Sequence, residues 1–257
     1  MAADLKMPLT AHLEELRWRL IKALGAIGVA FFGCYAFAER LFDFLTQPLL
    51  ALNIGQGGEP EVVHLIGTGV VEAFFTKLKV SFIAAIFVAS PVILYQIWQF
   101  VAPGLYSSEK RYARPFVFFG TFFFVCGAWF CYALVLPVGY RFFIQEYGSI
   151  RVSPEIRISE YLSFTSRMLL AFGATFEMPV ITFFLARLGV VTHTAMLHYT
   201  RYAILVIVIV AAILTPGPDV ASQLLMAGPL LVLYGLSIGI AYAFGKPRET
   251  AAATPEA

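Results

Sequence analysis

The sequence predicts an all-α membrane protein with six transmembrane helices and with both termini in the cytoplasm. Three observations carry this prediction: the composition, the spacing of the charged residues, and the distribution of Lys and Arg between alternate connections. Of the 257 residues, 60% are hydrophobic and only 13% are charged, against about 25% charged in an ordinary soluble domain. Disordered and water-soluble globular chains are thereby excluded. A net charge of +2 gives no basic field for binding nucleic acid.

Long uncharged segments predict the individual spans. A helix rises about 1.5 Å per residue, so a hydrocarbon core of about 30 Å takes about 20 apolar residues to cross. The fifth segment is short for a span, and the fourth contains one charged residue, Glu177. We predict one transmembrane domain over residues 1–245, with spans at about 20–38, 74–102, 115–138, 163–186, 200–215 and 220–244, followed by a disordered cytoplasmic tail at 246–257.

An amphipathic helix at about 9–20 is predicted before the first span, lying at the cytoplasmic interface. Leucines recur there at helical spacing, and charged residues fall on another face. Glu15 and Arg19 are spaced i,i+4, and Glu14 and Arg17 are spaced i,i+3, so both pairs can form ion pairs along the helix. The spacing leaves open whether these charges only solvate the helix or also bind a ligand.

The basic residues orient the chain. The two tails, the second–third connection and the fourth–fifth connection hold 11 of the 18 Lys and Arg residues, and the alternate connections hold 7. The larger number belongs in the cytoplasm, so both termini are predicted inside. Ala36-Phe37-Ala38 fits a signal-peptide cleavage pattern, but acidic residues precede it, and we therefore favour an uncleaved helix.

Glu177 is the most informative single residue. A charged carboxylate near the middle of a span costs about 2.5–3.5 kcal/mol on the insertion scale, so it should face protein, water or a polar partner. Pro179 follows it and removes a backbone donor from the same helix. Glu177 is interpreted either as a functional group or as a carboxyl that is hydrogen-bonded within the bundle.

Two further segments have structural interpretations. Pro216, Gly217 and Pro218 predict a tight turn, after which Asp219 caps the sixth helix. Gly235 and Gly239 form a small-xxx-small pair that permits close contact between helices.

The sequence offers no catalytic or metal-binding pattern. The four histidines have no metal-ligand spacing, and the three cysteines lie within predicted spans. Phosphate-loop, zinc-protease and nucleophile-elbow motifs are absent from the sequence. We therefore predict no cofactor, no metal and no enzymatic activity.

Acidic residues are scarce on the predicted inner surface. Outside the tails they are Glu14, Glu15 and Glu109. These carboxylates either moderate the surrounding positive charge or bind a cationic ligand, since arginine pairs with carboxylate through two parallel hydrogen bonds.

Five motifs, taken in order, resemble the TatC family, the core membrane subunit of the twin-arginine protein translocase. They are HLEELRWR at 12–19, SPVILYQIWQFVAPGL at 90–105, EKR at 109–111, FG at 172–173 with FEMP at 176–179, and Thr215-Pro216 with Asp219 and Gln223. Residues around the turn before Asp219, and Ala221, depart from the family pattern.

The resemblance implies a function, a set of partners and a site. Family members recognise the twin-arginine signal peptides of folded precursors, assemble with TatB and TatA, self-associate in a receptor complex in the inner membrane lipid, and use the proton-motive force. Carried over by position, the resemblance assigns signal-peptide binding to Glu15, Arg17, Phe100 and Glu109. It assigns partner-subunit contact to Glu177 and Pro179. It places Pro216, Asp219 and Gln223 in the periplasmic turn. The implied fold is a concave, cup-like bundle.

One alternative function remains open from the residues alone. A proton-coupled secondary transporter of a small solute would use Glu177 as the proton carrier. Such transporters usually carry several intramembrane ionisable groups, whereas Glu177 stands nearly alone in its predicted span.

Overall fold

The computed structural model describes residues 9–52, 65–101, 113–149, 154–214 and 220–245. Helices make up nearly all of these ranges, and the only strands in them form one two-residue pair. In chain order the elements are α1 (Leu9–Tyr35), α2 (Ala38–Leu50), β1 (Leu65–Ile66), α3 (Glu72–Val101), α4 (Ala113–Phe130), a π-helical turn (Cys131–Val135), α5 (Leu136–Ser149), β2 (Ile156–Arg157), α6 (Ile158–Arg187), α7 (His193–His198), α8 (Thr200–Leu214) and α9 (Val220–Phe244).

The prediction of an all-α membrane protein is confirmed. Within the described ranges, five helical segments are long and apolar enough to cross a membrane: His12–Tyr35, Glu72–Val101, Ala113–Tyr147, Ile158–Arg187 and Gln223–Phe244. Helix α8 is also apolar but has only 15 residues, about 22 Å of helix at 1.5 Å per residue. The predicted short fifth span corresponds to α8, and a helix of this length would thin the surrounding bilayer.

The first helix is longer than the boundaries expected from the sequence. The segments expected at about 9–20 and 20–38 form one continuous helix, α1, of 27 residues. Neither Gly nor Pro occurs between Leu9 and Leu24, so nothing in the sequence ends the helix at the predicted junction. The amphipathic turns that carry Glu15 are therefore rigidly joined to the first membrane-crossing segment.

The connection between the first two predicted spans, about 39–73, contains a helix that the sequence analysis did not predict. Helix α2 begins after Phe37, and Pro48 lies near its end. The third span likewise continues through the π-helical turn into α5 and ends at Ser149, beyond the predicted end at about 138. Tyr132 of the π-helical turn donates a hydrogen bond to the Phe44 carbonyl of α2 at 2.7 Å. The additional helix is thus joined to the extended third span.

Glu72 connects the beginnings of α3 and α6. Its carboxylate accepts the backbone N–H groups of Thr68 at 2.6 Å and Gly69 at 3.0 Å, both in the turn that precedes α3. The same carboxylate accepts the N–H of Ser159, in the first turn of α6, at 3.0 Å. Strands β1 and β2 precede these helices and pair in parallel, with Leu65 opposite Ile156. One side chain therefore joins the turn before α3 to the first turn of α6, where it satisfies an orphan N–H donor.

The chain divides into two compact units, residues 1–173 and 174–257. In the first unit, buried tyrosines join the helices. The Tyr161 hydroxyl donates to the Leu45 carbonyl at 2.6 Å, and the Tyr140 and Thr165 hydroxyls lie 2.6 Å apart. Because these polar atoms are buried, each hydrogen bond avoids the free energy of an unsatisfied group.

The second unit contains the end of α6 together with α7, α8 and α9. Gly189 follows α6 with φ of 76°, a left-handed conformation that glycine adopts without steric cost. Tyr234 of α9 donates to the Met196 carbonyl of α7 at 2.8 Å. A Cβ atom placed at Gly235 or Gly239 would meet no described atom within 4 Å. The small-xxx-small pair therefore makes no close helix contact with the described part of this chain.

Candidate functional site

Glu15 forms the centre of the candidate site in the first unit. Its Oε1 atom accepts hydrogen bonds from Nε of Arg19 at 3.0 Å and from Nη2 of the same side chain. The predicted i,i+4 ion pair is thus present. Nδ1 of His12 lies 3.7 Å from the other carboxylate oxygen, Oε2, which is too far for a hydrogen bond. The Glu15 carboxylate is therefore partnered on one oxygen only.

The Oε2 atom of Glu15 is buried and has no hydrogen-bond donor among the described residues. The side chain as a whole retains 22% exposure. A buried carboxylate oxygen without a donor carries a desolvation cost that no hydrogen bond offsets. The unpaired oxygen can accept a hydrogen bond, and the negative charge of the carboxylate favours a cationic donor.

Phe100 lies beside this acceptor. Its ring stacks on the imidazole of His12, with centroids 4.3 Å apart and planes 18° from parallel. His12 lies one helical turn before Glu15, so the last turn of α3 contacts the turn of α1 that carries the carboxylate. The structure therefore brings Glu15 and Phe100 to one place, although they are 85 residues apart in the sequence.

The neighbouring charged residues on α1 have a different environment. Glu14 and Arg17 are exposed, and both are described residues. The structure forms no ion pair between them, so the i,i+3 pairing suggested by their spacing does not occur. Glu109 lies outside the described residues. Its proximity to Glu15 therefore stays a prediction.

Glu177 is a second buried carboxyl, in the second unit. It is 6% exposed, and both of its carboxylate oxygens are without a hydrogen-bond partner among the described residues. Pro179, two residues later, is fully buried and lies inside α6 without ending the helix. The interpretation of Glu177 as a carboxyl hydrogen-bonded within the bundle receives no support from the described contacts.

Gln223 joins α8 to α9. Its Nε2 atom donates to the Val208 carbonyl at 3.0 Å. The carbonyl belongs to the interior of α8, so the bond fixes the two helices side by side. Pro216 and Asp219 lie outside the described residues, and the predicted capping role of Asp219 stays a prediction.

Two residues of the structure are not anticipated by the sequence patterns. The spacing places His12 only on a polar helix face and does not indicate stacking with Phe100. The role of Glu72 could have been suspected in part, because a carboxylate in the first turn of a helix can reach back to backbone N–H groups that precede the helix. Among the described residues, no group of three or more His, Cys, Asp or Glu side chains is placed to hold a metal ion.

Comparison with known proteins identifies the family. A family model described as the Sec-independent protein translocase protein TatC matches residues 11–229. A protein of that name from Desulforapulum autotrophicum is 46% identical over 95% of this chain and 88% of its own length. Another from Campylobacter jejuni is 46% identical over 90% of this chain and 91% of its own.

Solved structures agree with the sequence matches. A crystal structure of a twin-arginine translocase receptor TatC superposes with a TM-score of 0.78 and 36% identity, over 90% of this chain and 97% of that one. A second crystal structure of such a receptor gives 0.79 over 92% and 100%. None of these comparisons supports a small-solute transporter. The chain therefore belongs to the TatC family and is a non-enzymatic, multi-pass inner-membrane subunit of a Sec-independent protein translocase.

Proposed function

We propose that this subunit binds the twin-arginine signal peptides of folded precursor proteins at the beginning of α1, with Glu15 as the central acceptor. The observation that carries the proposal is the buried Oε2 atom of Glu15, which has no donor among the described residues. A guanidinium group presents several N–H donors in a fixed fork and matches a carboxylate better than any other side chain. One arginine of the peptide would occupy this oxygen.

The second arginine requires a second carboxylate, and we assign this role to Glu109. The sequence places Glu109 nine residues after Phe100, whose ring already contacts the Glu15 turn through His12. The stacked rings of Phe100 and His12 offer an apolar surface on which guanidinium planes pack favourably. Arg17, exposed on the same helix as Glu15, would donate hydrogen bonds to the carbonyl groups of the bound peptide.

The orientation of the chain makes this assignment consistent with export. With 11 of 18 Lys and Arg residues in the tails and in the connections on their side, both termini belong in the cytoplasm. The Glu15 turn then lies at the cytoplasmic face, where precursors arrive after synthesis. Transport itself would draw on the proton-motive force, which supplies about 2.3 kcal/mol per charge per 100 mV.

A paired substitution tests the site. Glu15→Gln removes the charge but keeps the shape, and Glu14→Gln is the matched control, because Glu14 is adjacent, exposed and without an ion pair to any described residue. Loss of one charge-assisted hydrogen bond costs about 1.5–3 kcal/mol, or about 10- to 150-fold in affinity. Binding of a fluorescent twin-arginine peptide to the full subunit in nanodiscs should therefore weaken only in Glu15→Gln.

Equal affinity in the wild type and in both variants would overturn the assignment of Glu15. A peptide with two lysines in place of the arginines serves as the ligand control, since an ammonium group lacks the fork geometry. That peptide should bind weakly to all three proteins.

We further propose that Glu177 is the contact for the single transmembrane helices of TatB and TatA. Both of its oxygens are without described partners and the residue is only 6% exposed, so a polar group from another subunit would relieve an unfavourable burial. Pro179 shapes the next turn of the same helix, and Gln223 fixes the α8–α9 pair of the same unit. The subunit would also self-associate in the receptor complex.

Co-purification of TatB and TatA with the variants tests this contact. Glu177→Gln keeps hydrogen-bonding groups and should retain the partners better than Glu177→Ala, which has none. Equal recovery with both variants would show that the polarity of Glu177 is not used.

A further inference from the structure

A long apolar groove runs between α3 and α4 in the first unit. It has a volume of about 770 Å³ and is lined almost entirely by apolar surface. Grooves of about 300–1,000 Å³ are typical of small-molecule sites. The lining residues are Pro91, Val92, Tyr95, Ala113, Arg114, Val117, Phe118, Thr121, Phe122 and Val125.

The two helices are antiparallel along this groove, and two ring contacts set their register. Trp98 packs on Phe116 with centroids 4.9 Å apart, and Phe87 packs on Phe124 with centroids 5.0 Å apart. Tyr95, near the end of α3, therefore lies beside Phe118 of α4. Phe118 follows Arg114 by about one helical turn. The charged end of the groove is thus its Arg114 end, and the remainder is apolar apart from the Thr121 hydroxyl.

The length of the groove matches one leaflet of a bilayer. From Arg114 to Val125 there are 11 residue-to-residue steps along α4, or about 16 Å of helix. Half of a hydrocarbon core is about 15 Å thick. An acyl chain that starts at the level of Arg114 would therefore end near Val125. The outward-facing rings of Phe118 and Phe122, which are 68% and 55% exposed, would cover its side.

Two donors at the polar end suit a phosphate group. Arg114 forms no ion pair with any described residue. The Tyr95 hydroxyl accepts a hydrogen bond from Nε2 of Gln99 at 2.7 Å, so its own hydrogen is directed elsewhere and can be donated. Basic positions between transmembrane helices are known to bind anionic lipid head groups.

We propose that the α3–α4 groove is a binding site for one anionic phospholipid, with an acyl chain in the groove and the phosphate on Arg114 and the Tyr95 hydroxyl. The charge of Arg114 sets the preference for an anionic head group, and the apolar lining holds the chain. This site is separate from the Glu15 turn and does not depend on the proposed recognition of signal peptides.

Native mass spectrometry of the full subunit with added lipid tests the proposal. Phosphatidylglycerol should be retained in preference to phosphatidylcholine. Arg114→Gln should remove that preference and weaken retention of phosphatidylglycerol about tenfold or more, as expected for one charge-assisted hydrogen bond. Arg141→Gln is the matched control, because Arg141 is exposed on α5 away from the groove. Equal retention in both arginine variants would overturn the head-group assignment.

A second pair of variants tests the acyl-chain position. Val92→Trp fills the groove, whereas Val88→Trp places the same side chain one turn away, at a position that is 62% exposed and outside the groove. Only Val92→Trp should lose the bound lipid. If Val92→Trp keeps its lipid but loses self-association or the binding of a partner helix, the groove is occupied by protein and the proposal is wrong.

Discussion

Gly173 allows α6 to approach α4 closely, and its replacement gives the sharpest structural prediction. A Cβ atom at this position would lie 2.9 Å from Cε2 of Phe124 and 3.2 Å from the Phe124 backbone oxygen. Favourable carbon contacts lie at about 3.5–4.0 Å, so the Phe124 ring would have to shift by about half an ångström and the Phe124 backbone by a few tenths. Because one of the two atoms belongs to the backbone, a side-chain rotation cannot relieve both contacts.

The expected magnitude follows from a difference between two alanine variants. Overpacking of a well-packed interior costs about 1–3 kcal/mol. Alanine also gains about 1 kcal/mol over glycine in helix propensity, and this gain is common to Gly173→Ala and Gly25→Ala. Gly25 lies in α1, and a Cβ atom added there would meet no described atom within 4 Å. The unfolding free energies of the two variants should therefore differ by about 1–3 kcal/mol.

Thermal unfolding of the full subunit in detergent, followed by tryptophan fluorescence, measures this difference. At about 2–4 °C per kcal/mol for a chain of this size, Gly173→Ala should melt about 2–12 °C below Gly25→Ala. Coincident melting curves would refute the close approach of α6 to α4.

Two further predictions concern hydrogen bonds near the ends of the spans. Tyr161→Phe removes the donor to the buried Leu45 carbonyl and should lower the unfolding free energy by about 0.5–1.5 kcal/mol, whereas Tyr202→Phe, at an exposed position, should leave the melting temperature unchanged. The hydrogen bond from Lys77 holds the pKa of Glu39 below its ordinary value. The pair therefore stabilises the folded chain at a pH above the unfolded-state pKa of Glu39, and this stabilisation is lost as the pH falls through the folded-state pKa of Glu39. An NMR titration of the Glu39 carboxyl should accordingly give a higher midpoint in Lys77→Gln than in the wild type; identical midpoints would contradict the contact.

Periodicity and charge spacing predicted the membrane architecture because the hydrocarbon core imposes a strong length constraint on every span. The short fifth span and the isolated Glu177 were both visible as departures from that constraint. The continuity of α1 could also have been inferred from the absence of Gly and Pro between Leu9 and Leu24. Helix α2 was missed, because the length of the connection did not distinguish a helix from a loop.

The candidate site was predictable only in part. The scarcity of inner acids singled out Glu14, Glu15 and Glu109, and the family resemblance assigned binding to Glu15 and Glu109. Contact between His12 and Phe100 depends on tertiary packing between α1 and α3, which no local pattern encodes. The unpaired state of Oε2 is likewise a property of the folded chain, since spacing indicated only that Arg19 could reach the carboxylate. The groove between α3 and α4 arises from helix packing and has no signature in the sequence.

Site-specific photocrosslinking can show whether the signal peptide binds at the Glu15 turn. A photoreactive phenylalanine analogue at position 100 keeps the aromatic ring beside His12 and Glu15, and the same analogue at position 205, an exposed site on α8, serves as the control. We expect crosslinks from position 100 to a signal peptide with its arginine pair, few to the lysine-substituted peptide, and none from position 205. Equal crosslinking of both peptides from position 100, or crosslinks from position 205 alone, would contradict it.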